Sequence, residues 1–282
     1  MNAMGKRTRL ALFALAIAVA SLRPVRSYDF FWHLATGRWI VENQALPLHD
    51  PFAVASDRVP WINDEWLFEI ATYAAWSVGG IALVAILRSS LIATIFGMAA
   101  STGETAAGFA IATIGWYCSR DLLGERPSTV GALLFLVVLR MTLAERVRWL
   151  SLKQALLTIV WINVHPSALL SPVIASIRFF GVITGKSEDR REEAIRSIQT
   201  AALSAAALFI NPFGIKGVLA PLNLVSTIRA GAFVNREWLP SLPGTFPLLY
   251  VTLAGAFIIL LMSKEGSRRH LRLLLLIFLG AF

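Results

Sequence analysis

Residues 66–80 read WLFEIATYAAWSVGG, and residues 81–100 continue as IALVAILRSSLIATIFGMAA. The second stretch, interrupted only by Arg88, is long and apolar enough to cross a hydrocarbon core as a helix. The first is also helical in pattern, but it carries Glu69, Tyr73 and Trp76, is too short to span, and ends at the breaker Gly79-Gly80. If Trp66–Val78 crossed the bilayer, the parity would fail, because the count of crossings would move the basic loops that follow to the outer side. It is therefore placed flat on the outer interface, with the apolar stretch after it as a transmembrane segment.

The loops decide the orientation. Lys and Arg accumulate on the cytoplasmic side of membrane proteins, and three loops here are basic: Glu145–Lys153, Lys186–Arg196 and Lys264–Arg272. Placing these inside sends Ser119–Pro127, the His165-Pro166 turn and Asn211–Thr245 outside. Between them lie the apolar runs Thr105–Cys118, Val130–Leu143, Leu150–Val164, Ala168–Thr184, Ile198–Ile210 and Phe246–Met262. At the start, Lys6, Arg7 and Arg9 precede the short run Leu10–Leu22 with its Ala18-Val19-Ala20 pattern, read as a signal anchor with a cleaved signal peptide as the alternative; either leaves Arg23 onward outside. The chain ends within the apolar run Leu271–Phe282, which suggests a truncated C-terminus.

Composition agrees with lipid as the main solvent. The 282 residues are 56% hydrophobic and only 15% charged, with a mean hydropathy of +0.66. Too little polar surface remains to cover a soluble globule. The net charge of +9 sits in short runs between apolar segments, so it is read as topological and not as a nucleic-acid footprint. The single cysteine, Cys118, excludes an internal disulfide and a cysteine-rich metal site. The expectation is an all-α polytopic protein with residues 1–282 as one transmembrane domain.

A second interfacial helix is expected over Phe30–Val41, where Phe30, Phe31, Trp32 and Trp39 mix with His33 and Arg38. The first external loop, about residues 23–80, then holds two interfacial helices joined by a Pro-rich turn. The unusual polar residues fall on this same outer side: Asp29, His33, Asp50, Asp64, Glu65, Arg120, Asp121, Glu125, Arg126, Asn163, His165 and Asn211. Each has a bland reading. Asp29 and Asp64 stand where helix N-caps stand, Asp50-Pro51 and Asn211-Pro212 are turn formers, and Arg88 could snorkel to the headgroups. Independent caps should scatter over both faces, whereas these gather on one.

The pieces Asp29-Phe30-Phe31-Trp32-His33-Leu34 with Gly37-Arg38, Asp50-Pro51-Phe52, Trp61–Leu67, Arg126-Pro127, Trp161–His165 and Asn211-Pro212-Phe213-Gly214 resemble the GT-C superfamily of membrane glycosyltransferases. The likeness is to the protein O-mannosyltransferase-like branch and, within it, to a largely uncharacterised bacterial group. The resemblance implies a GT-C-like helical bundle in the bacterial inner membrane, N-terminus cytoplasmic and active face periplasmic. It implies transfer of a sugar from a polyprenyl-phosphate donor to an acceptor, with Asp29 as catalytic base or metal ligand. That branch commonly has an adjacent Asp-Glu pair at this place. Here Phe30 follows Asp29, and the pair Asp64-Glu65 lies before the second interfacial helix as the next candidate.

For such chemistry the acceptor hydroxyl must lose a proton, which one carboxylate can accept, and the donor phosphate needs cationic donors, which arginine supplies bidentately. Arg88, Arg120 and Arg126, with His165, are the expected phosphate ligands. His33, one turn after Asp29, is expected to orient it. A divalent cation, if one binds, is expected on Asp29, Asp121 and Glu125. Two other classes share these features. A transporter or flippase of lipid-linked sugars would carry ionisable groups at mid-membrane, and the scarcity of such groups in the apolar runs, Arg88 and Arg178 aside, counts against it; a non-catalytic scaffold would keep the fold without the chemistry.

Overall fold

The computed structural model describes residues 5–54, 60–103, 106–144, 150–183, 190–229, 243–245, 247, 250–251 and 254–255. Most of the expected run Phe246–Met262, the run Leu271–Phe282, the polar residues Arg236 and Glu237 with Trp238 in the expected external loop, and the basic stretches 145–149, 186–189 and 264–272 lie outside the described residues. Among those residues every regular element is a helix: α1 (Lys6–Ser21), α2 (Phe30–Asn43), α3 (Trp66–Gly103), α4 (Ala106–Ser119), α5 (Pro127–Leu143), α6 (Leu150–Ile162), a short 3-10 helix (Pro166–Leu169), α7 (Leu170–Ile183), α8 (Arg190–Ala207) and α9 (Ile215–Arg229).

The break in α3 falls where the glycine pair placed it. Gly79 has φ −140° and ψ 15°, and Gly80 has φ 58° and ψ −156°, so α3 is two legs, 66–78 and 81–103, joined at a kink. The two glycines are required for different reasons. A Cβ at 79 would lie 2.6 Å from the Cβ of Leu83, whereas at 80 there is open space but a backbone conformation that L residues rarely adopt. Both helices expected in the 23–80 loop are present, and they pack against each other. Gly37 makes this possible, because a Cβ there would overlap the backbone carbonyl of Glu69.

Two segments differ from the expectation. Residues 215–229, read as part of an external loop, form α9, although Pro221 lies inside it. A proline removes one hydrogen bond and ordinarily ends a helix, yet this helix runs through it. Helix α8 begins eight residues before the apolar run at Ile198, its charged first turns held by an Arg196–Glu192 pair at 2.7 Å.

The chain forms two compact units. The first takes in residues 1–137, 159–168 and 211–217. Its core is Ile17 of α1 against Ile92, Ala93, Ile95 and Phe96 of α3, with Trp116 and Leu133 alongside. The second, made from residues 138–158, 169–210 and 218–282, is organised by Gln154. This fully buried side chain accepts from Thr142 Oγ1 at 3.0 Å and donates to the carbonyl of Ser171 at 2.9 Å. Arg178 donates to the carbonyls of Thr142 and Ala144.

Two helical stretches, Trp66–Ser101 and Pro166–Ile183, are long and apolar enough to cross a membrane; Pro127–Thr142, Leu150–Ile162 and Ile215–Ile228 are apolar but shorter. Large apolar side chains stand outward on several helices, among them Leu15 and Val19 on α1, Ile111 on α4 and Phe180 on α7.

Candidate active site

Asp29 occupies the position before α2, yet it does not cap the helix. Its backbone is already αR (φ −79°, ψ −14°) and its side chain makes no cap hydrogen bond. The carboxylate turns instead to Arg126, with Nη2 to Oδ2 at 3.1 Å, and remains half-exposed. Arg126 directly precedes Pro127, the first residue of α5, and its Nε also donates to Ser27 Oγ at 3.3 Å. Two chain segments nearly a hundred residues apart are thus tied at one carboxylate–guanidinium pair. The N-cap reading of Asp29 fails; an acid in an extended conformation could have received the free N–H groups, one in αR cannot.

Beneath this pair lies a second acidic group. His33, expected to orient Asp29, turns its Nδ1 to Glu69 Oε1 at 3.3 Å, with Glu65 Oε2 at 3.9 Å. Glu69 is fully buried and its other oxygen accepts from Asn63 Nδ2 at 2.6 Å. Asn63 Oδ1 in turn accepts from the N–H of Glu65 at 3.3 Å, which is the capping role expected of Asp64. The edges of Trp32 and Phe68 close on the His33 ring. The start of α3 is fixed from α6: Asn163 Oδ1 accepts from Trp66 Nε1 at 2.8 Å, its carbonyl accepts from the N–H of Leu67 at 3.1 Å, and its Nδ2 donates to Ile159.

The electrostatics follow from this crowding. Burial, then the charges of Asp64, Glu69 and Asp29, raise the Glu65 carboxyl to about 8 against the opposing pull of Arg126. Glu65 therefore carries a proton at neutral pH. Burial raises Asp64 to about 6, with Glu69 adding to the shift and a hydrogen bond from its own backbone opposing it.

The expected phosphate ligands separate. Arg88 is buried among protein groups: it pairs with Glu125 and donates to the carbonyls of Ser21 and Arg23, while its buried Nε has no partner among the described residues. It is not available to a phosphate, and the snorkelling reading fails with it. Arg120 lies over the Tyr117 ring, 4.3 Å from its centroid, beside Asp121. Only Arg126 stands at Asp29. His165 is a neutral donor: its Nδ1 receives the N–H of Ser167 at 3.1 Å and lies 2.7 Å from Ser167 Oγ, so the ring proton resides on Nε2, and burial lowers it to about 4. The suggested metal set does not converge either. Asp29 closes on Arg126, Asp121 on Arg23 and Glu125 on Arg88, and among the described residues no three His, Cys, Asp or Glu side chains are grouped to hold an ion.

Asp50 and Asn211 take their bland readings, accepting from the N–H groups of Phe52 and Phe213, each at 2.9 Å, as turn formers. Comparison with family models, curated proteins and solved structures finds no match. The site therefore speaks through its own geometry. Sequence reasoning missed Glu69 and Asn63 as members. The available signal was spacing: Glu69 lies four residues after Glu65, on the same side of one helical leg.

Proposed function

We propose that this chain is a polytopic membrane glycosyltransferase of the GT-C type, moving a sugar from a polyprenyl-phosphate donor to an acceptor hydroxyl on the periplasmic face. The observation that carries the reading is the Asp29–Arg126 pair: a carboxylate released from capping, half-exposed, and held at 3.1 Å by a guanidinium from a distant segment.

The chemistry follows from those two groups. The acceptor oxygen attacks the anomeric carbon while its proton passes to Asp29. The bond from that carbon to the phosphate oxygen breaks, and the electron pair leaves with the phosphate. The leaving group is already anionic and needs no general acid. Arg126 brings to Asp29 a guanidinium, the cation whose planar fork matches phosphate oxygens. Glu65, protonated and close enough to feel the Asp29 charge, supplies a hydrogen-bond donor beside the base. His33, Glu69 and Asn63 form the buried support that holds Glu65 in place.

Membrane embedding is supported by the two long and three shorter apolar helices and by their outward apolar side chains, which lipid would cover. The transporter reading gains nothing from Arg88 and Arg178, which both bond to protein carbonyls. The test is transfer of radiolabelled sugar from a panel of polyprenyl-phosphate donors by membranes containing the full-length protein, beside Asp29→Asn at matched expression. Loss of turnover by about 10²–10⁴-fold, with donor binding retained, is expected for removal of a general base. Undiminished transfer by the variant would remove Asp29 from the mechanism. No transfer from any donor by folded protein would return the scaffold reading.

A further inference from the structure

A cleft of about 220 Å³ opens where α1 ends, lined by Ala20, Ser21, Ile92 and Trp116 together with Arg23, Arg26, Arg120 and Asp121. Three guanidiniums face one carboxylate there. Asp121 holds Arg23 at 3.0 Å and approaches Arg120 Nε at 3.7 Å, and Arg23 also donates to the carbonyl of Arg120. This frame spaces two of the cations and leaves the cleft net positive. Arg26 is exposed and completes the cationic rim. Ala20, Ile92 and the Trp116 ring form the cleft's apolar part, and Trp116 donates its indole N–H to the buried Ser21 Oγ at 3.0 Å.

We infer that this cleft binds the phosphodiester headgroup of an anionic membrane phospholipid. Guanidinium donors match phosphate oxygens bidentately, while the positive surplus repels the choline of a zwitterionic lipid. The volume is below that of a pocket enclosing a whole small-molecule ligand, which suits a headgroup whose chains remain outside in the bilayer. The cleft draws on none of Asp29, Arg126 or Glu65, so the inference stands apart from the catalytic reading and reassigns Arg120 from donor binding to lipid binding.

The experiment is native mass spectrometry of the full-length protein in mild detergent, titrated with phosphatidylglycerol, phosphatidylcholine or inorganic phosphate, for wild type and Arg26→Gln. Phosphatidylglycerol is expected to bind at least fivefold more tightly than phosphatidylcholine. Arg26→Gln should weaken phosphatidylglycerol about fivefold, leaving phosphatidylcholine and the lipid-free melting temperature unchanged. Equal affinity of the variant and wild type for phosphatidylglycerol would overturn the assignment. Displacement of phosphatidylglycerol by millimolar inorganic phosphate would overturn its lipid source, marking a site for a soluble anion.

Discussion

Glu65 and His165 are displaced from their ordinary proton affinities in opposite directions, and each leaves its own mark on stability. Glu65 rises from 4.5 to about 8 in the fold. Between those pH values the folded protein keeps a proton that the unfolded chain has released, so stability falls as pH rises across that window and levels off above it. His165 drops from 6.5 to about 4. There the unfolded chain takes a proton that the fold refuses, so stability falls as pH falls through that range. Melting temperatures of the detergent-solubilised protein from pH 4 to 9 should show both limbs. Glu65→Gln is expected to flatten the alkaline limb only and His165→Gln the acid limb only; a variant that moved both limbs equally would indicate a general loss of packing.

Among the elements, the crossing of α2 over α3 and the Arg88–Glu125 clamp determine how the site is held. Gly37→Ala must push the helices apart against the Glu69 carbonyl, and an overpacked contact of this kind costs about 1–3 kcal/mol. Chemical denaturation in detergent would measure it, and an unchanged midpoint would mean that the crossing is looser than the structure has it. Arg88→Met leaves Glu125 buried and uncompensated, a loss of about 3–5 kcal/mol, whereas Arg88→Met with Glu125→Leu should recover most of it. These two contacts also explain what was readable in advance. The family resemblance offered Asp29, Glu65 and Arg126 as candidates, while the helices α2 and 66–78 and the Gly79-Gly80 break could be read from local pattern. The partners could not: His33 meets Glu69 because Gly37 lets α2 settle on α3, and Arg88 meets Glu125 across an interval of 37 residues. Local periodicity carries no information about either. Helix α9 was hidden for a local reason, since Pro221 is a helix breaker and the helix runs through it.

For the molecule as a whole, the proposed topology puts 23–80 on the periplasmic side. Tyr28 is almost fully exposed, and Cys118 is the only native cysteine. In a Cys118→Ser background, Tyr28→Cys should react with a membrane-impermeant maleimide in intact cells, and the chain should stay in the membrane pellet after alkaline carbonate. Labelling only after lysis would reverse the orientation; release by carbonate would show a peripheral protein.

The kink between the two legs of α3 has a stereochemical corollary. Inverting the signs of the Gly80 dihedrals, φ 58° and ψ −156°, gives a pair in the extended region that ordinary L residues favour. Position 80 is therefore, in its handedness, a place for a D-amino acid, filled by the one residue that has no hand. A semisynthetic chain with D-alanine there should keep the bend, while L-alanine should strain it; at position 79, where the neighbouring Leu83 sets the limit, chirality gives no such dispensation.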